Sequence, residues 1–493
     1  MKKPQILFFI IVIIITFSAS CKKNDSPNTP VPVVTKPIFK ITPDSLKFTI
    51  AGGSSVVTDS MNGSGWAAAS DQAWCTLSIN SSTSASSQIT VTATANPNIG
   101  VRTAKLMFVM DSKTVKYVYV SQAGRTTLYP SYNTSPINPD ATGMSSTAVQ
   151  LAANIKLGWN IGNTMEAPGD ETGWGNPLIT ENYIKFVKQS GFNAIRIPCA
   201  WYLHMDNAST AHINTDWLNR VKQVVQYCTS NDMYVLLNIH WDGGWLEKNC
   251  TIAKKDSVNA MQKAFWEQIA ITMRDFDEHL MFASANEPSV SDATQMAVLL
   301  SYHQTFINAV RSTGGKNAYR TLVVQGPSTD ITTTNTLMNT LPSDAATNRM
   351  MVEIHNYTPF QFTALDGDAS WGKMFYYWGA GHHSTIEPDR NATWGEESDQ
   401  NTGFEYMKSK FVDKGIPVLM GEYGAYRRDG SANIPKDLAT HNDAVDYWIT
   451  YVTRQAISHG IKTFYWDTGG ILDRSKNTVK DQRSLDAIIA GGN

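Results

Sequence analysis

Glu287 and Glu422 each close an apolar run of the kind that forms a buried parallel strand. The runs are Leu280–Glu287 (LMFASANE), cut by Pro288, and Ile416–Glu422 (IPVLMGE), followed by Tyr423 and Gly424. Near-continuous apolar runs are expected where helices cover both faces of a parallel sheet. If the sheet closes into a barrel, a carboxylate at a strand's carboxyl end stands on the face where such barrels hold their active sites. Two carboxylates brought there from different strands can divide the cleavage of a glycosidic bond, one protonating the leaving oxygen and the other handling the sugar carbon.

Other strand ends carry the same kind of residue. The first strand leads into Asn160, Asn163 and Glu166, and the second carries Arg196. The third ends at His240, Trp241 and Asp242, and the fourth at Asn286 and Glu287. His355 and Tyr357 end the sixth, Glu422 the seventh, Trp466 and Asp467 the eighth. Each has a plain structural alternative: Arg196 could pair a carboxylate for stability, and His240 could be a hydrogen-bonded core histidine. The conjunction argues for a site, because a barrel interior is filled with bulky apolar side chains and charged groups there converge on a site or carry a penalty. No lysine stands at any of these ends, which speaks against a Schiff-base enzyme.

The elements that would position these residues alternate strand and helix, eight times over. The predicted strands are Ile155–Gly162, Phe192–Pro198, Tyr234–His240, Leu280–Glu287, Leu322–Gly326, Met350–Tyr357, Pro417–Glu422 and Ile461–Trp466. Between them lie amphipathic helices such as Ser257–Phe276, where Val258, Met261, Phe265, Ile269, Met273 and Phe276 recur at steps of three and four. This pattern predicts an α/β fold, a (β/α)8 TIM barrel, over 147–493. A doubly wound open sheet is the alternative, but no GxGxxG or GxxxxGK[ST] stands at any strand–helix turn.

With 493 residues there is room for a smaller domain as well. Short alternating strands over 38–124, with a hairpin of Lys105–Met110 and Val115–Val120 about Asp111–Thr114, predict a small all-β Ig-like sandwich of about seven strands. Trp66 and Trp74 read as its core rather than as a sugar platform, since a domain this small needs its tryptophans inside. The Ser-, Thr-, Asn- and Pro-rich stretch 125–146 reads as a linker.

The N-terminus reads as an export signal, with Lys2 and Lys3 before the apolar run Ile6–Ile15 and small residues leading to Cys21. Lipidation of Cys21 is expected, with simple cleavage near Ser20 as the alternative, and 22–37 reads as a Pro-rich spacer. The expected location is thus an outer-membrane or cell-surface lipoprotein, or a secreted protein. The other four cysteines make no zinc spacing, and no disulfide is assigned. A formal charge of −2 with 17% charged residues supplies no basic field for nucleic acid.

Seven motifs carry a family resemblance: Gly158–Pro168 (GWNIGNTMEAP), Arg196-Ile-Pro198, Asn238-Ile-His-Trp-Asp242, Asn286-Glu-Pro288, His355-Asn-Tyr357, Gly421-Glu-Tyr-Gly424 and Trp466. In this order on consecutive strands they resemble glycoside hydrolase family 5, a family of retaining (β/α)8 hydrolases that includes endoglucanases, xyloglucanases, lichenases and mannanases. The resemblance implies an endo-acting enzyme for β-1,4-glucan-type polysaccharides. It implies Glu287 as acid/base and Glu422 as nucleophile, surrounded by Arg196, His240, Asn286, His355 and Tyr357. Trp466 would floor the subsite at the cleaved bond, and Asn163 and Glu166 would bind sugar on the nonreducing side. Family members often carry a second histidine where Trp241 stands. At the front, Pro43–Phe48, Trp66, Ser70–Trp74, Asn96, Arg102 and Ser121–Gly124 resemble a BACON domain, common in exported Bacteroidetes glycan-degrading proteins.

Several expectations follow. Glu422 should stay ionised beside Arg196 and Tyr357, and Glu287 should hold a proton near neutral pH through partial burial and the Glu422 anion. Asn286 can hydrogen-bond the sugar 2-hydroxyl. The long segment Thr358–Thr402 should line a cleft, with Trp378 and Trp394 partly exposed. No metal or organic cofactor is implied, and the partner is a polysaccharide bound by a monomer whose only membrane contact is a lipid anchor. A glycan-binding barrel without activity is the non-enzymatic alternative; such proteins usually lose one carboxylate, and both are present here.

Overall fold

The computed structural model describes residues 38–96, 98, 100–125, 127–430 and 432–493. The expected export signal, Cys21 and the stretch 22–37 read as a spacer lie outside them. The chain forms two compact units that divide after Arg125.

The first unit is a sandwich of two sheets. One joins Phe39–Thr42, Gly53–Met61, Gln88–Ala93 and Cys75–Leu77 in antiparallel order. The other joins Ser45–Phe48, Thr114–Gln122, Arg102–Met110, Trp66–Ser70 and Ser81–Ser82, with the first pair parallel. Nine short strands therefore stand where about seven were expected. Ile89, Val91 and Ala93 alternate inward as their spacing requires. The predicted hairpin forms, turning through Asp111 and Ser112 in the left-handed region. Trp66 is buried edge-on against Phe108, and Trp74 packs at the rim beneath the Arg102 guanidinium. Trp66 thus has no face to offer a sugar.

The second unit contains a closed barrel of eight parallel strands in chain order. They are Gly158–Ile161, Ala194–Ile197, Tyr234–Asn238, Leu280–Ala283, Leu322–Gln325, Met350–Asn356, Val418–Tyr423 and Ile461–Asp467. All eight predicted strands exist; most are shorter than the apolar runs, because the polar ends have already turned into loops. Inside the barrel Ala194, Leu236, Met281, Val323, Met351, Leu419 and Phe464 form one apolar cluster with the helix Ala148–Asn154.

Two expectations are corrected. The helix read as Ser257–Phe276 spans Lys255–Thr272. The buried guanidinium of Arg320 donates to the carbonyls of Phe276 (2.7 Å), Asp277 (2.9 Å) and Leu280 (2.7 Å), which pulls the chain after Met273 into a turn. The stretch read as a linker is fastened to the barrel over 127–146. Ser131 Oγ and Tyr132 N donate to the buried carboxylate of Glu267, Ile137–Pro139 pairs with Gly314–Gly315, and the carbonyl of Met144 accepts from Arg349 at 2.7 Å. Its polar composition answers buried partners that lie far along the chain.

Candidate active site

Side chains two apart on a barrel strand face the same way, so each inward polar residue sits one layer above an apolar one. Arg196 follows Ala194, Asn238 follows Leu236 and Gln325 follows Val323, while Glu353 and then His355 follow Met351. All are buried, and Arg196, Asn238, Gln325 and Glu353 are wholly so.

The seventh strand departs from this regular alternation. Met420 pairs with Ile354 and Thr463, whereas Glu422 pairs with His355 and Tyr423 with Tyr465. One extra residue is thus accommodated around Gly421, a bulge of the kind that re-aims a side chain beside an active site. Asn160 Nδ2 clips the bulge in place, donating to the Gly421 carbonyl at 2.8 Å and to that of Phe464 at 3.1 Å. Glycine is needed here for space: a Cβ on Gly421 would lie 1.9 Å from Glu353 Oε1.

Arg196 is the hub. Its Nη1 donates to Glu422 Oε1 (2.8 Å) and Asn160 Oδ1 (3.0 Å), its Nη2 donates to Asn286 Oδ1 (2.7 Å), and its Nε pairs with Glu353 Oε1 at 2.9 Å. Burial opposes its charge, but Glu353 and Glu422 outweigh that and hold it protonated. Tyr357 donates to the second oxygen of Glu422 at 3.0 Å. The expected nucleophile is therefore oriented through both oxygens, and the Asn286 amide NH2, which also hydrogen-bonds the Glu247 carboxylate, keeps one N–H to donate to substrate. His240 is buried and kept neutral by that burial and by Arg196 and His355; it lies parallel to Trp466 with ring centroids 5.7 Å apart.

Glu287 lies beside His355, whose Nδ1 is 2.7 Å from Glu287 Oε1 and 3.8 Å from Glu422 Oε2. Oxygens of Glu287 and Glu422 approach within 4.8 Å. That fits the roughly 5–5.5 Å spacing of a double-displacement pair and falls short of the roughly 6.5–9.5 Å that an inverting pair needs for its water. One expectation is corrected. Burial pushes the Glu287 carboxyl up, but the hydrogen bond and charge of His355 outweigh it and hold Glu287 below the usual carboxylate range. Burial likewise opposes the His355 charge, yet Glu422, Glu287 and Glu353 raise the imidazole to about 10. The resting proton belongs to the His355–Glu287 pair and sits on the ring.

The elevated His355 has a consequence for stability. A histidine raised from 6.5 on folding contributes stability that is complete below pH about 6.5 and is lost as pH rises toward 10. Thermal midpoints measured from pH 6 to 10 should fall through that window, and the fall should flatten in His355→Gln; an identical slope in the variant would remove His355 as the cause.

The remaining expected residues divide. Glu166 is 5% exposed, and its oxygens accept from the backbone N–H groups of Asn163 and Thr164, so its carboxylate shapes the turn after the first strand. Burial lifts it to about 7. Asn163, half-buried, holds this turn at a positive φ of 58°. Trp241 is 43% exposed with Lys248 over its ring at 4.4 Å. Asp242 is committed to the backbone of Trp201, Tyr202 and Leu203. In the long loop, Trp394 is exposed as expected but Trp378 is fully buried. Trp378 packs against Tyr447 and Tyr451 of the helix Leu438–Ser458, and Trp371 and Phe360 are exposed instead. Sequence reading missed Glu353, Gln325 and Glu247, whose Oε1 accepts from Glu287 N at 2.8 Å. For Glu353 a signal existed: it shares the inward period of Met351, His355 and Tyr357.

A closed (β/α)8 barrel with an arginine-anchored glutamate and a second glutamate within 4.8 Å at its strand ends defines a retaining glycoside hydrolase. The cellulase model of glycosyl hydrolase family 5 matches residues 160–470, and the chain belongs to that family. Residues 64–123 match the BACON model. The chain is 35% identical over 380 residues to the xyloglucan-specific endo-β-1,4-glucanase BoGH5A of Bacteroides ovatus, covering 72% of this chain and 73% of that protein. Among solved structures it is similar to a Bacteroides ovatus GH5 xyloglucanase in complex with a XXXG heptasaccharide. There the TM-score is 0.68 at 29% identity, over 92% of this chain and 100% of that one. It is also similar to XEG5B, a GH5 xyloglucan-specific β-1,4-glucanase from a ruminal metagenomic library, with a TM-score of 0.64 and 39% identity over 70% and 96% of the two chains.

Proposed function

We propose that this enzyme cleaves the β-1,4-glucan backbone internally by double displacement, with xyloglucan, a branched β-1,4-glucan, as its preferred substrate. The chemistry rests on one observation above all, the pairing of Glu287 and Glu422 within 4.8 Å with Arg196 and Tyr357 on the latter. In the first step Glu287 gives a proton to the leaving oxygen while Glu422 bonds to the anomeric carbon. In the second, water displaces Glu422 and gives its proton to Glu287. Loss of the Glu422 charge in the intermediate lowers the proton affinity of the His355–Glu287 pair, which suits Glu287 to act then as base.

The xyloglucan preference is supported by the relatives above and by a cavity of about 520 Å3 that opens beside Trp466. Tyr426, Trp466 and Ile471 give it apolar faces, and Asp429, Lys480 and Gln482 are among its polar lining. A linear glucan threading over Trp466 would leave this space unused, whereas a branch would enter it. Gly470 lines the cavity, and a Cβ there would meet nothing nearer than Asp467 Oδ1 at 3.8 Å. Gly470→Phe should therefore lower the ratio of kcat/KM on xyloglucan to that on unbranched β-glucan by about tenfold, the effect of about 1.4 kcal/mol of lost binding. An unchanged ratio removes the branch assignment, and an inactive wild type on both polymers removes the reading as a whole.

A further inference from the structure

Glu353 belongs to none of the motifs that mark the family resemblance, yet it is wholly buried directly beneath the reacting groups. Its Oε2 accepts from Gln325 Nε2 at 2.6 Å. Its Oε1 pairs with Arg196 Nε at 2.9 Å and faces His355 Nε2 at 3.3 Å. Gln325 has no freedom to turn, since its own Oε1 accepts from Ala285 N at 2.8 Å, so its NH2 must face Glu353. Behind it His303 Nε2 lies 3.0 Å from the Gln325 carbonyl. Glu353 is thus a carboxylate locked in place and aimed at one nitrogen of the catalytic histidine.

We propose that Glu353 is a positioning residue for proton transfer, fixing the tautomer of His355 so that Nδ1 is the ring nitrogen that exchanges a proton with Glu287. The inference rests on the retaining mechanism set out above. An ionised carboxylate can only accept, so the nitrogen facing it carries the hydrogen. With Nε2–H held toward Glu353, a neutral His355 has its lone pair on Nδ1, 2.7 Å from Glu287 Oε1. Imidazolium with carboxylate and imidazole with carboxylic acid then differ only by a proton shift along that contact. In the first chemical step the proton on Glu287 passes to the glycosidic oxygen as the C–O bond breaks and the bond to Glu422 forms. The pair is left one proton short, and the attacking water restores it when the Glu422 ester is cleaved. In the opposite neutral tautomer Nδ1–H would donate to an ionised Glu287, which would then have no proton to give.

The charged and titratable neighbours of His355 leave this task to Glu353. Glu287 from the fourth strand and Glu422 from the seventh both face Nδ1. Arg196 from the second strand reaches the ring's surroundings through Glu353. Burial pushes His240 of the third strand toward the neutral form, and burial with the Glu422 charge keeps Tyr357 protonated. Glu353 itself is drawn below the usual carboxylate range by Arg196 and His355 against the effect of burial, so it stays anionic.

The test compares Glu353→Gln with the swapped pair Glu353→Gln/Gln325→Glu, which restores hydrogen-bond pairing and total charge but moves the charge away from His355. The substrates are soluble β-1,4-glucan and 2,4-dinitrophenyl β-cellobioside, whose leaving group needs no proton. Removing a negative charge beside His355 lowers the proton affinity of the pair, so the basic limb of kcat/KM on glucan should move down by about one pH unit in both variants. The loss on glucan should exceed the loss on the aryl glycoside by roughly tenfold or more. Equal losses on the two substrates with an unmoved limb in both variants would show a merely structural role and overturn the proposal. Should either variant fail to fold, 15N-histidine NMR of the wild-type enzyme, with His355 assigned by its absence in His355→Gln, decides the question. Nε2 protonated throughout with Nδ1 titrating supports the assignment, and a neutral ring bearing its hydrogen on Nδ1 refutes it.

Discussion

Glu422→Ala should lower turnover of soluble β-glucan by at least about 10⁴-fold, since it removes the carboxylate proposed to form the covalent intermediate. Glu422 is gripped by Arg196 and Tyr357 at 2.8 and 3.0 Å, so truncation leaves a polar space on the nucleophile's side of the anomeric carbon. A small anion such as azide should enter that space, restore part of the rate and yield a glycosyl azide of inverted configuration. Glu287→Ala should fail on polysaccharide by a different route, because the leaving oxygen then receives no proton. With an activated aryl glycoside it should still form the intermediate, and azide should then give a product of retained configuration. Exchange of the two stereochemical outcomes would exchange the two roles. Near-wild-type rates on polysaccharide in either variant would remove that residue from the mechanism.

Gly421→Ala should damage the enzyme without touching a reacting group. Its Cβ would fall 1.9 Å from Glu353 Oε1 and 2.7 Å from Glu353 Cδ. Glu353 cannot retreat, because Arg196 and Gln325 hold both of its oxygens. Either the carboxylate is pushed off Arg196 or the bulge straightens and Glu422 turns from the mouth. A misplacement of about 1 Å at reacting groups can cost about 10²-fold in rate, and overpacking a tight core costs about 1–3 kcal/mol. Both effects are therefore expected, read as kcat/KM and as thermal midpoint. Gly424→Ala is the matched control, since its Cβ would meet nothing closer than 3.6 Å. Equal behaviour of the two variants would show that the bulge does not depend on the space at Gly421.

The contrast between Glu287 and His355 bears on how such a site is read. Each was legible as a strand-end residue, but the charge each carries was not. Expecting Glu287 to hold its own proton considered Glu422 and burial alone; the short contact to His355 reverses the balance and moves the proton onto the ring. Proton ownership depends on distances of a few ångströms between residues far apart in the chain, which spacing along the sequence does not encode.

The amino-acid sequence by itself determined the barrel, its eight strands, the sandwich before it and the pair of carboxylates. These depend on local hydrophobic period, on turn residues and on the residue type that ends each run, all of which can be read over a few positions. Tertiary structure alone decided that Glu353 and Gln325 support the site, that Gly421 bulges, that 127–146 belongs to the barrel unit and that Trp378 is buried while Trp371 is not. The physical reason is common to all four. Each outcome is set by what a side chain or backbone group meets across the fold, such as Gln325 for Glu353, Glu267 for the 127–146 segment and Tyr447 for Trp378. A buried polar group takes its role from those partners.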